Sequence, residues 1–402
     1  MKILILSDNY PPEVNAPAVR SHFHCREWVR LGASVTVITC APNFPQGVVY
    51  PGYRNRLFQR EEREGVEVIR VWSYLAPNQG VVRRTLDYLS YAAMATLAGV
   101  SRDFDVVVAT SPQFFTAVAG DVIARWTGRP WVFEIRDLWP ESIVATGAMS
   151  KGPAITALER LEQDLYQSAD LLVPVTHSFR DHVMERGVPA DRIRVVTNGV
   201  DPDEFRIDSP KRTDPDGPLV VGYLGTHRRA DGLDLVLRAA QLLDPAEVRF
   251  ELVGDGAEKR RLVDEAKRLG LDHVVFSDPV PREQVAAVLA GFDAALIPLR
   301  DTAAFRSVIP SKIFEAAAAS VPMLLGVRGE AEGIVRRYDA GLVFSPEREE
   351  ELVRAIQRIR GEEGLLAKLQ EGCGRLVADY DRSELAVQML THLKDVVGAS
   401  SR

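Results

Sequence analysis

The chain has 402 residues with 49 Lys and Arg against 56 Asp and Glu, and its formal net charge of -7 gives no general attraction for nucleic acid, which usually needs a basic stripe or patch. Apolar residues make up 46% and charged residues 26%, the composition of soluble globular chains with sizeable cores, so a disordered chain is excluded except at its ends and two or three domains are expected. The 3 cysteines, Cys25, Cys40 and Cys373, are odd in number and widely spaced, which argues against a disulfide framework or a zinc site, and no apolar run reaches the roughly 20 residues that span a bilayer.

The N-terminus, MKILILSDNYPPE, lacks the long apolar region of a secretory signal and reads as a first β-strand, which points to a cytoplasmic chain with reduced, buried thiols. From there on, short β-branched and aliphatic runs alternate with longer segments of helical length, the pattern of parallel sheets with helical crossovers. KILIL, SVTVIT, VEVIRV, DVVVAT, WVFEI, DLLVPV and RIRVVT predict seven strands and one doubly wound sheet. The first turn after a strand, Asp8 to Pro17, is polar and contains Asn15. Gln79 to Tyr91, with Arg83 and Arg84, mixes basic and aromatic residues; together with Arg54, Arg56, Leu57, Phe58 and Arg60 it reads either as a membrane-surface element or as a buried helix with solvated arginines. After WVFEI, the segment from Glu134 to Ser142 packs four charges, among them Arg136, Asp137 and Glu141, beside Trp139. Charges at a strand's carboxyl end can orient hydroxyls, although Arg136 could simply pair with Glu134 or Asp137.

Thr197 to Leu219 is dense in Asp, Pro and Gly and reads as containing the link between domains. LVVGYLG, VRFELVG, HVVFSD, DAALIPL, PMLLG and AGLVFS then predict a second sheet of six strands, and Arg348 to Val397 reads as helices. The expected organisation is 1–200 as an N-terminal Rossmann-like domain, 201–218 as linker, 219–380 as a C-terminal Rossmann-like domain, and 381–402 as a helix packing back on the N-terminal domain. Ligands of open parallel sheets bind outside the strands' carboxyl ends, so turns after strands are the functional candidates.

In the second series the turn Gly222 to Gly232 combines glycines with Arg228 and Arg229, a means of meeting a diphosphate, with a plain turn and solvated arginines as the rival. Gly254-Asp255-Gly256 reads as scaffold. In PSKIFEAAAA, after DAALIPL, Ser311 is a candidate N-cap, Lys312 would face a bound anion and Glu315 could accept hydrogen bonds from a vicinal diol such as a ribose; Lys312 and Glu315 could otherwise form an ordinary surface pair. The seven histidines form no HExxH or comparable array, so no metal site is expected, and no GxSxG elbow supports covalent hydrolase chemistry.

These segments together resemble the retaining glycosyltransferases of family four, of GT-B architecture: KILILSDNYPPE, TNGVDPDEF, VGYLGTHRRADGLD, ELVGDGAE, VVFSDPVPREQV and PSKIFEAAAASVP carry the likeness over nearly all of the chain. EIRDLWPES and PSKIFEA are most similar to the branch with N-acetyl-L-fucosamine transferases of O-antigen, capsule and exopolysaccharide assembly. The resemblance implies two facing Rossmann-like domains, with the acceptor met by the first and the nucleotide-sugar donor by the second. It implies donor contacts at Gly225, Thr226, Arg228, Arg229, Ser311, Lys312 and Glu315, with Asp278 and Pro279 near the base. Asp137, Glu141 and Asn15 are the candidates for orienting sugar or acceptor. The implied donor is UDP- or GDP-linked and needs no metal or other cofactor, the acceptor is a glycan or polyprenyl-diphosphate-linked glycan, and contact with the inner face of the membrane is peripheral. Ser307, Thr226, Asp231, Arg136 and Asn15-Ala16 depart from the family pattern. A nucleotide-sugar epimerase and a noncatalytic sugar-nucleotide-binding protein remain as alternatives at this point.

Overall fold

The computed structural model describes residues 1–77, 81–145, 149–206, 217–302 and 305–400. The chain divides into two compact units, one of Met1–Asn198 with Arg382–Arg402, the other of Gly199–Asp381.

The first unit is built on a sheet of β1 (Lys2–Leu6), β2 (Ser34–Cys40), β3 (Phe58–Arg63), β4 (Val66–Val71), β5 (Val106–Thr110), β6 (Trp131–Ile135) and β7 (Leu171–Pro174) in the order β3-β4-β2-β1-β5-β6-β7. All neighbours are parallel except β3, which runs antiparallel to β4. β5 and β6 are buried along their whole length, which is why they read as unbroken apolar runs: both faces of a parallel sheet are covered. Helices Val81–Gly99, Phe115–Thr127 and Pro153–Ser168 cover one face, while Ala16–Arg30 and Arg382–Ser400 cover the other. The last of these is anchored by Leu385, Met389 and Leu393 in the core and by the Trp28 indole N–H, which donates to the Ala386 carbonyl at 2.8 Å.

The sheet has the seven strands the sequence predicts, but not the same seven. RIRVVT forms only a single bridge, Ile193 to Leu172, and then runs on without strand pairing. Its place is taken by β3, FQREER, whose polar, alternately exposed residues give no apolar run because an edge strand is covered on one side alone.

The second unit has β8 (Leu219–Leu224), β9 (Val248–Val253), β10 (Val274–Ser277), β11 (Ala294–Pro298), β12 (Met323–Gly326) and β13 (Gly341–Val343), all parallel, in the order β10-β9-β8-β11-β12-β13. Each coincides with one of the six predicted runs. Val200 and Phe205 are buried in this unit's core, so the start of the segment read as a linker is part of the fold here; 207–216 lie outside the described residues. Helices Glu349–Gly361 and Leu365–Asp379 belong to the same unit. Among the described residues no helix is long and apolar enough to cross a membrane.

Candidate functional site

In the second unit the candidate donor residues gather at the carboxyl ends of β8 and β11. Two glycine turns are bonded together there: Gly225 N–H donates to Val253 O at 3.0 Å, His227 N–H to Asp255 O at 2.8 Å and Glu258 N–H to His227 O at 3.0 Å. Gly254 has φ +143, and a Cβ on it would collide with the Gly225 carbonyl oxygen, so the second turn, read as scaffold, is what sets the backbone of the first. Gly254→Ala should therefore cost about 2 kcal/mol of stability and lower Tm by about 5 °C, measured by calorimetry.

Lys312 closes over this turn. Its Nζ lies 3.8 Å from the centre of the Tyr223 ring, and a Cβ on Gly225 would come within 2.7 Å of that nitrogen. Burial drives the Lys312 ammonium down to about 8. No Lys312–Glu315 surface pair forms; Glu315 instead accepts from Arg282 at 3.3 Å, and Arg282 also holds Glu204 at 2.7 Å. Lys312 and Glu315 thus point into a small cleft that they share with Gly222 and Leu224.

Two expectations for this cluster need correction. Ser311 precedes the helix Lys312–Ala318 but its side chain makes no capping bond, since its backbone is already helical. Charge at this point therefore comes from Lys312 and not from a capped helix end. Arg228 is not free either: Asp231 accepts from its Nε and Nη2, each at 3.1 Å, and from its backbone N–H at 3.0 Å. Arg229 is exposed and makes no ion pair among the described residues. Asp278 is exposed and pairs with Lys259 at 2.9 Å, with Pro279 exposed beside it; Thr226 is exposed, its carbonyl accepting from Tyr223 Oη at 2.5 Å. One residue the sequence did not single out is His227, fully buried between the Tyr223 and Phe276 rings with both ring nitrogens unbonded; burial lowers its basicity, so it is neutral at neutral pH.

The first unit has its own cavity of about 330 Å³ beyond the carboxyl ends of its strands. Asp8, Asn9 and Asn15 line it from the first turn, Asp137 and Trp139 from the turn after β6, Arg84, Asp87 and Tyr88 from the helix Val81–Gly99, and Gln113 from the turn after β5. Asn15 caps its helix by accepting from Ala18 N–H at 3.0 Å while its amide donates to Asn9, which in turn donates to Asp8 at 3.0 Å. Burial, with the Asp87 and Glu13 charges close by, pushes Asp8 up to about 8, and burial pushes Asp87 to about 6. Asp8 therefore carries a proton at neutral pH and can donate a hydrogen bond where Asp137 and Asn9 accept one. Asp137, also raised by burial, accepts from Ser142 at 3.0 Å.

Glu141 does not join this group. It is exposed, stands 3.5 Å from His182, and does not line the cavity. Nor does Arg136 pair as supposed: Glu134 is bonded by Arg20 at 2.9 Å, and the Arg136 Nε and Nη1 are buried without a hydrogen-bond partner. Among the described residues no group of His, Cys, Asp and Glu is arranged to hold a metal.

Residues 16–199 match the family described as "Glycosyl transferase 4-like domain" and residues 204–373 the family described as "Glycosyl transferases group 1", so that the two matches take in most of the chain. The chain is a glycosyltransferase. It is 26% identical over 331 residues to WcaI of Escherichia coli, named for colanic acid biosynthesis, which covers 78% of this chain and 80% of that protein. Among solved structures, the glycosyltransferase superposes on sucrose-phosphate synthase from Thermosynechococcus elongatus with a TM-score of 0.74 at 18% identity, covering 99% of both chains. It also superposes on HepE of Anabaena in complex with UDP, with a TM-score of 0.69 at 18% identity over 98% of this chain and 100% of the other. These likenesses establish the two-domain GT-B fold of the glycosyltransferase.

Proposed function

We propose that this glycosyltransferase moves a sugar, in the class of N-acetylated amino or deoxy sugars, from a UDP- or GDP-linked donor to a glycan carried on a polyprenyl-diphosphate lipid. Transfer retains anomeric configuration, takes place at the cytoplasmic face of the membrane and serves surface polysaccharide assembly. The observation that carries the donor half is the enclosure of Lys312 against the Gly225 turn, a desolvated cation beside a glycine backbone that leaves room for an anionic ligand. The UDP bound to HepE and the colanic acid pathway named for WcaI support the donor and pathway readings.

In this reading Lys312 and Arg229 stabilise the leaving diphosphate, one oxygen of which takes the proton of the incoming hydroxyl, and Glu315 holds the ribose. Asn15, Asp137 and protonated Asp8 orient the acceptor, so the protein supplies positioning and charge and no covalent nucleophile. No metal takes part, and chelation with EDTA should leave the rate unchanged.

Thermal unfolding with UDP, GDP, dTDP and NAD in parallel tests the donor, because a ligand at about 100 times its Kd adds about 2.7 kcal/mol of stability. Stabilisation by one nucleoside diphosphate and not by NAD is expected; no shift with any of them contradicts the proposal. Glu315→Ala should weaken binding of that nucleotide by about 10- to 100-fold, the value of a hydrogen bond to a charged group. Consumption of the nucleotide sugar to an isomer without acceptor would instead indicate an epimerase.

A further inference from the structure

The turns that follow β8, β11 and β13 are far apart in sequence, and one side chain joins them. Arg300 stands in the turn after β11, where its backbone N–H donates to the Ala230 carbonyl at 3.0 Å. Each nitrogen of its guanidinium then goes to a different acceptor: Nε to the Arg229 carbonyl at 2.8 Å, Nη2 to Asp234 at 2.8 Å and Nη1 to Glu347 at 2.6 Å. Arg229, Ala230 and Asp234 follow β8, and Glu347 follows β13. A planar fork with donors on three nitrogens can meet acceptors on three sides at once, whereas a lysine ammonium is a single point on a flexible stem.

Two features set this group apart from an ordinary surface pair. Glu347 has a φ of 61°, in the left-handed region that residues with a side chain rarely adopt, and the carboxylate so placed accepts from Arg300 and, at 3.4 Å, from the Asp301 N–H. Asp234 is shared: it also accepts from Arg238 at 2.7 Å, and Arg238 bonds Glu349 at 3.0 Å at the start of the helix Glu349–Gly361. The five side chains form a connected network, the arrangement in which exposed charges hold a geometry that isolated pairs do not.

The network holds the turn that presents Arg229. The Arg229 carbonyl is fixed by Arg300, and Arg228 beside it is occupied by Asp231, so the Arg229 side chain is left exposed on an anchored backbone. We infer that Arg300 is a positioning residue of the donor site: acting through the backbone, it sets the turn from Arg228 to Gly232 so that the Arg229 guanidinium meets the donor's diphosphate. Glu347, at the edge of the sheet, thereby bears on a site centred on β8 and β11. The inference rests on the reading of Arg229 as a diphosphate ligand and deepens it.

The test is calorimetric titration of UDP and of GDP into the unmodified protein, Arg300→Met, Arg300→Lys, Arg229→Met and the double variant, with hydrogen exchange of the ligand-free proteins alongside. Arg300→Met, Arg300→Lys and Arg229→Met should each weaken the nucleotide that binds by about tenfold. The double variant should be no weaker than either single Met variant, because once the positioned group is gone nothing is left to position. Without ligand, Arg300→Met should speed exchange at Asp231 and Gly232, whose N–H groups donate to the Arg228 and Arg229 carbonyls at 3.1 and 3.4 Å, by about tenfold. The amides of β8 and β9 should stay protected, which shows that the variant remains folded. Full rescue by Lys, or a double variant about a hundredfold weaker, would make Arg300 a direct charge on the nucleotide and overturn the inference, as would unchanged exchange in Arg300→Met. The donor reading fails by a different result, binding of neither nucleotide by the unmodified protein; that removes the diphosphate from the inference, and the exchange rates still decide whether Arg300 holds the turn.

Discussion

Lys312→Met is expected to cut kcat by about 100- to 1,000-fold while leaving the protein folded. The side chain fits Met in length, and replacing a buried ammonium by a thioether removes a desolvation cost, so the loss falls on transition-state charge and not on stability. The pH dependence supplies a second reading of the same residue. With Lys312 at about 8 in the free enzyme, its proposed role has affinity for the nucleoside diphosphate fall by about tenfold per unit above that pH, as the ammonium is lost. The stability sign is the reverse: a lysine lowered from 10.5 costs stability while charged, so its contribution improves as pH rises from about 8 toward 10.5. Calorimetric titration of UDP on either side of that pH checks both the unmodified enzyme and Lys312→Met. The same fall in affinity in the Met variant would remove Lys312 from the diphosphate.

Arg20→Met should destabilise the first unit by about 3–5 kcal/mol, the cost of leaving a buried charge without its partner. Arg20 Nε bonds Glu134 at 2.9 Å, Nη2 the Val196 carbonyl at 2.9 Å and Nη1 the Thr197 carbonyl at 2.5 Å, all inside the core. Burial works against the Glu134 carboxylate, yet Arg20 and Arg136 hold it down to about 2. Because this folded value lies below the ordinary 4.5, the stabilisation is fully present above about pH 4.5 and is lost as pH falls toward 2. The difference in Tm between Arg20→Met and the unmodified protein, about 10 °C at neutral pH, should therefore shrink in acid. A constant difference across that range would detach Arg20's contribution from Glu134.

The strands were legible where a parallel sheet buries both of their faces, as with WVFEI and DAALIPL, and illegible where burial is one-sided, as with FQREER at the sheet edge. RIRVVT has the composition of a strand but bridges at one residue only: its Arg194 and Val196 N–H groups donate to the Leu172 and Pro174 carbonyls of β7, while its Val196 and Thr197 carbonyls accept from Arg20. The candidate residues Gly225, Lys312, Asn15 and Asp137 were legible by position, since all lie after strands. The capture of Arg228 by Asp231, and the diversion of Glu141 to His182, depend on which side-chain rotamer packs, and residue type and spacing do not carry that information. Asp8 and Asp87 come together only through the fold, and the mutual effect of their charges on the Asp8 proton has no local signature.

The first unit takes its last helix, Arg382–Ser400, from beyond the whole of the second. During synthesis the helix Ala16–Arg30 therefore leaves the ribosome with Trp28 still without the Ala386 carbonyl and the cover of the last helix, and it stays so while the second unit, contiguous from Gly199 to Asp381, is made. The half of the enzyme encoded first is completed last, so a chain ending before residue 382 would release a finished second unit joined to a first unit that lacks its last covering helix and is aggregation-prone.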